Sequence, residues 1–142
     1  MNFNFSARSK RNLQGVHPDL VRVVYRALEL SEVDISVIEG LRTQERQAEL
    51  VAKGASWTMA SRHLTGHAVD LAPFVGTVRW DWPLYYKLAK AMKLASIDQN
   101  VPIRWGGTWK NLDQLQLPVT QSSLHASQAD GPHFELPREV YP

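Results

Sequence analysis

The sequence predicts an α+β fold, a small antiparallel sheet with helices packed on one of its faces. Three observations predict it. Two stretches carry apolar residues at helical spacing, a third is bounded by helix start and stop signals, and between and after them lie short, strand-like apolar runs. The elements follow one another as helix, strand, helix, strand, helix, strand, loop, strand, an order that builds one layered unit. The chain has 142 residues, one domain's length and enough for a proper core, with no internal repeat and no second domain.

Composition narrows the class. With 44% hydrophobic and 21% charged residues the chain reads as globular. The net charge of +2 and a pI near 9.0 give a modestly basic surface, which suits an anionic polymer without saying which. Cysteine is absent, which excludes disulfides and thiolate metal ligands. No apolar run reaches membrane-spanning length. The first thirteen residues are polar and basic and lack the apolar core of a secretory signal, so no export signal is expected.

Residues 1–15 are expected to be irregular, with Arg8, Lys10 and Arg11 as a solvated basic arm. Pro18 opens the first helix, because its fixed φ suits a first helical position. There Leu20, Val21, Val24, Ala27 and Leu28 share the core face, and His17 just before it is structural. Residues 34–39 alternate imperfectly through Ile35, Val37 and Ile38 and read as a strand. Thr43 caps the next helix, Glu45 favours its first turn, and Gly54 ends it after about Lys53.

Residues 55–62 form a loop able to line a groove. Around Asp81, Trp80 and Trp82 offer either stacking surfaces or edge packing. The third helix runs from 83 to about 95, with Leu84, Leu88, Ala91, Met92 and Ala95 on its apolar face and Lys87, Lys90 and Lys93 in solvent. Residues 102–105 make a short strand that ends at Gly106-Gly107, where close backbone approach is expected. Residues 110–129 are polar and without periodicity. Residues 132–136 are strand-like again.

The chemistry concentrates in Ser61-Arg62-His63-Leu64-Thr65-Gly66-His67-Ala68-Val69-Asp70. Imidazole and carboxylate are ordinary zinc ligands, and a catalytic zinc keeps three protein ligands and one open position. If residues 68–71 form a strand, Asp70 and Ala68 share one face and Val69 enters the core. Gly66 lets the chain turn so that His63 converges on Asp70. Taken alone, the stretch equally suits a hydrogen-bonded histidine and a solvated aspartate. The segment Asp130-Gly131-Pro132-His133-Phe134-Glu135 supplies a third ligand in His133. His125 is a rival for that place, but it sits in the aperiodic loop, and rigid elements hold ligands better. His67 has the wrong strand parity. Arg42 stands at a strand-to-helix junction, where a side chain reaches either a cleft or solvent, and Asp130 also suits a simple turn before Gly131-Pro132.

Ser-x-His-x-x-Gly-x-Ala-x-Asp followed by Asp-x-Pro-His-Phe resembles the zinc peptidases related to D-alanyl-D-alanine carboxypeptidases. Among these the chain is most similar to phage endolysins that act as L-alanyl-D-glutamate peptidases. Asn12-Leu13 with Val16-His17-Pro18, Glu39-Gly40-Leu41-Arg42-Thr43 with Gln47, and Arg104-Trp105-Gly106-Gly107 with Trp109 extend the resemblance over nearly the whole chain. Residues 110–129 are longer than that pattern leads one to expect.

The resemblance implies one Zn2+ per chain on the open face of the sheet, held by His63, Asp70 and His133. It implies Asp130 as general base and Arg42 as the group that stabilises the oxyanion, with Gln47 either supporting Arg42 or contacting substrate and with Ser61 and Trp105 as substrate contacts. It implies a single catalytic domain over residues 1–142 without a separate wall-binding module, acting as a monomer on peptidoglycan stem peptides, with no nucleic-acid partner and no membrane insertion. The enzyme would wait in the host cytoplasm until a pore-forming holin opens the membrane, and a Gram-negative host fits best. Cleavage at L-Ala–D-Glu is the expectation. D-Ala-D-Ala carboxypeptidase or D-alanyl-diaminopimelate endopeptidase activity is the near alternative, a silent zinc-containing wall-binding module the non-enzymatic one, and a basic nucleic-acid-binding domain the remote one.

Overall fold

The computed structural model describes residues 3–142. Five strands form one sheet in the order β1-β2-β5-β3-β4, every neighbouring pair antiparallel. In chain order the elements are α1 (Ala7–Asn12), α2 (Pro18–Leu30), β1 (Asp34–Glu39), α3 (Gln44–Ala52), a 3-10 turn (Arg62–Thr65), β2 (Ala68–Phe74), α4 (Trp82–Gln99), β3 (Arg104–Trp105), β4 (Lys110–Asn111) and β5 (His133–Glu135). The α+β class and the small antiparallel sheet are as the sequence predicts.

The two faces of the sheet separate by alternation. Ile35, Val37, Val69, Leu71, Trp105 and Phe134 point one way and are buried in the core, with Leu20, Val24 and Ala27 of α2 and Leu88, Met92 and Ala95 of α4. Asp70, Arg104, His133 and Glu135 hold the opposite parity, which leaves the second face free for polar chemistry. β5 is the key element. It comes last in the sequence, yet it lies at the centre of the sheet, bonded to β2 and β3.

Four expectations are corrected. The start is not irregular, since Ala7–Asn12 is helical, capped by Ser6 accepting from the Ser9 N–H at 3.1 Å. Met1 and Asn2 lie outside the described residues. This short helix closes the outer edge of β1 with side chains: Ser9 Oγ accepts from the Val37 N–H at 3.0 Å, and Asn12 Nδ2 donates to the Val37 carbonyl at 2.8 Å. An exposed row of strand donors and acceptors is thereby satisfied. The helix expected over 83–95 spans Trp82–Gln99, ending on Asn100 in the left-handed region. Lys93 is not in open solvent, because its ammonium donates to the Leu112 carbonyl at 3.1 Å. Residues 110–129 are not featureless either: they carry β4 and are pinned by buried Leu112, Leu115 and Val119.

His17 is structural, as expected. It caps α2 by accepting from the Asp19 N–H at 3.0 Å through Nδ1. No helix is long and apolar enough to cross a membrane among the described residues.

Candidate active site

A cleft of about 680 Å³ opens on the polar face of the sheet. His63, Asp70 and His133 meet at its floor, each offering a donor atom within 4.8 Å of the others. Three different local devices bring them there. His63 rides on the 3-10 turn, whose first residue is preceded by Ser61 accepting from the His63 N–H at 3.2 Å. Gly66 ends that turn at φ +76°. A side chain there would be strained, and its Cβ would stand 2.4 Å from the Gly15 carbonyl oxygen. Asp70 projects from β2, and His133 is its direct cross-strand partner on β5.

The second ring nitrogen of each histidine is already occupied. His63 Nδ1 donates to the Gly40 carbonyl at 2.9 Å, and Nε2 faces Asp70 Oδ1, 3.3 Å away. His133 Nε2 bonds Glu135 Oε1 at 2.8 Å, and Nδ1 lies 3.5 Å from Asp70 Oδ1. This is how metal-binding imidazoles are held in one tautomer and one orientation. Burial alone would raise the Asp70 carboxyl, but hydrogen bonds from His133 and His63 outweigh it and hold the group well below the usual carboxylate range. Burial also works against a charge on His133, yet the carboxylates of Asp70 and Glu135 on either side push it up to about 9. The cluster thus draws positive charge into a buried place. A divalent cation fits that demand, and two imidazoles with one carboxylate are a donor set suited to zinc.

Arg42 reaches the same floor. Its Nε donates to Glu39 Oε1 at 2.5 Å, its Nη1 to Gln47 Oε1 at 2.8 Å, and its Nη2 stands 3.6 Å from Asp70 Oδ2. Gln47 is fully buried and in turn donates to Ser56 Oγ at 2.8 Å and to the Thr58 carbonyl. It ties the 55–62 loop to Arg42 and has no surface left for substrate, so of the two roles expected for Gln47 the substrate contact falls away and the support of Arg42 remains.

Asp130 lies on the cleft wall. Its side chain reaches solvent, yet the surrounding protein and the Asp70 charge push its carboxyl above the ordinary value, against the pull of His133, His63 and Arg42. Backbone bonds fix it, with the Asp130 N–H donating to Gly106 at 2.9 Å. Gly106 passes so close that a Cβ there would stand 2.4 Å from the Asp130 carbonyl oxygen and 3.0 Å from Cβ of His133.

Ser61 lines the cleft, as do Ser56, Trp57 and Thr58 of the expected loop. Trp105 does not. It is fully buried, its ring stacked 6.1 Å from Phe134 and its Nε1 donating to the Gly131 carbonyl at 2.8 Å. The expected substrate contact at Trp105 is therefore corrected to a core role. His125 lies outside this cleft, its Nδ1 accepting from Gln128 N–H at 3.1 Å. Glu135 is the residue the sequence reading passes over. Its signal is its spacing, two residues beyond His133 on a strand and so on the same face.

A sequence profile of the phage L-alanyl-D-glutamate peptidases matches residues 1–137. The chain belongs to this family. A member from Escherichia phage T5 is 32% identical over 141 residues, covering 96% of this chain and 99% of that protein. The L-alanyl-D-glutamate peptidase of Listeria phage A118 is 32% identical over 109 residues, covering 74% of this chain but 38% of its own length. The crystal structure of the Serratia marcescens L-Ala D-Glu endopeptidase ChiX superimposes with a TM-score of 0.81 at 42% identity, over 98% of this chain and 94% of that one. This phage peptidase family gives the chain its class: it is a peptidase.

Proposed function

We propose that the chain is a zinc-dependent endopeptidase that hydrolyses the L-Ala–D-Glu amide of the peptidoglycan stem and so opens the host wall. The observation that carries the reading is the convergence, in one cleft, of a three-donor metal set, a carboxylate of raised proton affinity and a tethered guanidinium. His63, Asp70 and His133 would hold the ion. When bound, zinc supplies Lewis acidity, polarising the scissile carbonyl and acidifying a water.

Everything else falls to the side chains. Asp130 accepts a proton from the attacking water and hands it to the leaving amine, and its raised pKa suits both halves of that transfer. Arg42 faces the charge that develops on the carbonyl oxygen. Its ties to Glu39 and Gln47 fix it beforehand, so little reorganisation is needed when the charge appears. Arg42→Ala should therefore lower kcat by about a hundredfold while moving KM little. A rise confined to KM would make Arg42 a substrate clamp.

The identity of the bond is read directly by digesting purified peptidoglycan and locating the new amino termini by mass spectrometry. New D-glutamate amino termini are expected. Release of terminal D-alanine alone would favour the carboxypeptidase alternative. No new termini, with muropeptide still bound, would leave a binding module.

On this reading the 142 residues act as one monomeric catalytic unit, which reaches the wall after a separate holin-type protein opens the inner membrane. A Gram-negative culture expressing the chain alone should hold its turbidity until the membrane is permeabilised, and then clear. Prompt lysis without permeabilisation would contradict that route.

A further inference from the structure

Apart from the metal donors, Asp130 and the Arg42–Glu39 pair, charge in the cleft gathers around Glu135. Arg104 is the cross-strand partner of Glu135, with Nη1 3.7 Å from Oε2. Its Nε donates to the Trp109 carbonyl at 3.1 Å and its guanidinium lies 5.1 Å from the centre of the Trp109 ring, so the group is held in place. Arg62 and Arg138 line the same cleft. Arg62 is 8% exposed. Its Nη2 donates to the carbonyls of Leu136 and Tyr141, and its Nε is buried with no hydrogen-bond partner among the described residues. Arg138 Nη2 donates to the Ala60 carbonyl at 3.0 Å. Neither Arg62 nor Arg138 forms an ion pair among the described residues, and Glu135 of the same cleft is already committed to His133.

We propose that Arg62, Arg104 and Arg138 form a carboxylate-binding subsite that seats a free carboxylate of the substrate peptide next to the scissile bond. The proposal rests on the peptidase reading above. In a stem that continues through the γ-carboxyl of D-glutamate, the α-carboxylate hangs on the carbon that bears the leaving nitrogen. Glu135 stands two strand residues from His133, about 7 Å along the strand, so an anion seated beside it is within reach of the reacting centre. Planar guanidinium forks match a carboxylate and discriminate against its amide, which brings no charge and presents two donors to a wall of donors. The subsite thus selects stems whose glutamate carboxylate is free over stems in which it is amidated.

The test uses the zinc-loaded full chain and two synthetic stem peptides, identical except that the D-glutamate α-substituent is a carboxylate in one and a carboxamide in the other. The wild type should show a KM for the amide at least about tenfold higher. Arg104→Gln and Arg138→Gln should each shrink that ratio, the double variant should bring it close to one, and Arg104→Lys should restore part of it. Circular dichroism confirms that each variant folds. Equal KM values in the wild type, or a ratio that survives the double variant, would overturn the proposal. Calorimetric binding of both peptides to the Asp130→Asn protein separates the subsite from the chemistry. A preference for the carboxylate peptide that disappears in the double variant supports the subsite even if the wild type cuts neither peptide, a result that would refute the peptidase reading alone. Equal binding would sink the subsite.

Discussion

His133→Ala is expected to leave a folded chain with neither stoichiometric zinc nor measurable hydrolysis. The imidazole is one of three donors gathered within 4.8 Å, and the two left behind are a histidine and a carboxylate that make a poor site by themselves. The loss reaches further than one ligand. Glu135 gives up its bond to His133 Nε2 and keeps the more distant Arg104 as its ion-pair partner among the described residues, so a buried carboxylate is left less well compensated and stability should fall as well. His125→Ala is the control. That ring lies outside the cleft and, among the described residues, accepts only local backbone N–H groups, so the variant should keep its metal and its activity. Metal analysis on the purified proteins decides. Zinc retained by His133→Ala and lost by His125→Ala would reverse the ligand assignment.

Asp130→Asn should keep its fold and its zinc and lose about two to four orders of magnitude in rate, the usual contribution of a general base. The Asp130 side chain accepts no hydrogen bond among the described residues, so an amide of the same shape disturbs little. The pH profile carries the sharper signature. A base works only when deprotonated. The rate of the wild type should therefore fall as pH drops through the raised pKa of Asp130, which lies above the ordinary carboxylate value because the surrounding protein and the Asp70 charge both disfavour ionisation. That acid limb should be missing from the residual rate of the variant. Near-normal turnover in Asp130→Asn would mean that another group takes the proton.

How far the sequence discloses this site depends on how local each signal is. Asp70 is legible because strand alternation puts it opposite Val69, and the fold keeps that parity, with Val69 in the core. Gly66 is legible because a turn between two converging side chains calls for a left-handed residue. Trp105 misleads for the same reason that Asp70 informs. Parity is clear within a strand, but which face is apolar depends on register with β5, where Trp105 pairs with Phe134 and Arg104 with Glu135. Only that pairing shows that Arg104, and not its neighbour, faces the cleft. Gln47 reads as a polar residue on an exposed helix, and nothing nearby in sequence reveals that Ser56 and Thr58 fold back to bury it. The helix at Ala7–Asn12 escapes notice because it buries a single residue, Ser9, and is held by polar side chains bonded to a strand edge well over twenty positions away.

The central place of β5 sets a clock on the enzyme during synthesis. A ribosome that has completed the chain as far as Asp130 has made α4, the 3-10 turn and most of the sheet, but the strand that bridges β2 to β3 is still missing. Until it inserts, β2 and β3 each present an unpaired edge, and the closing contacts span more than sixty residues between Asp70 and His133. Two donors are in hand by then, but the third arrives with the strand that completes the sheet. Assembly of the candidate metal site and completion of the sheet are thus one event.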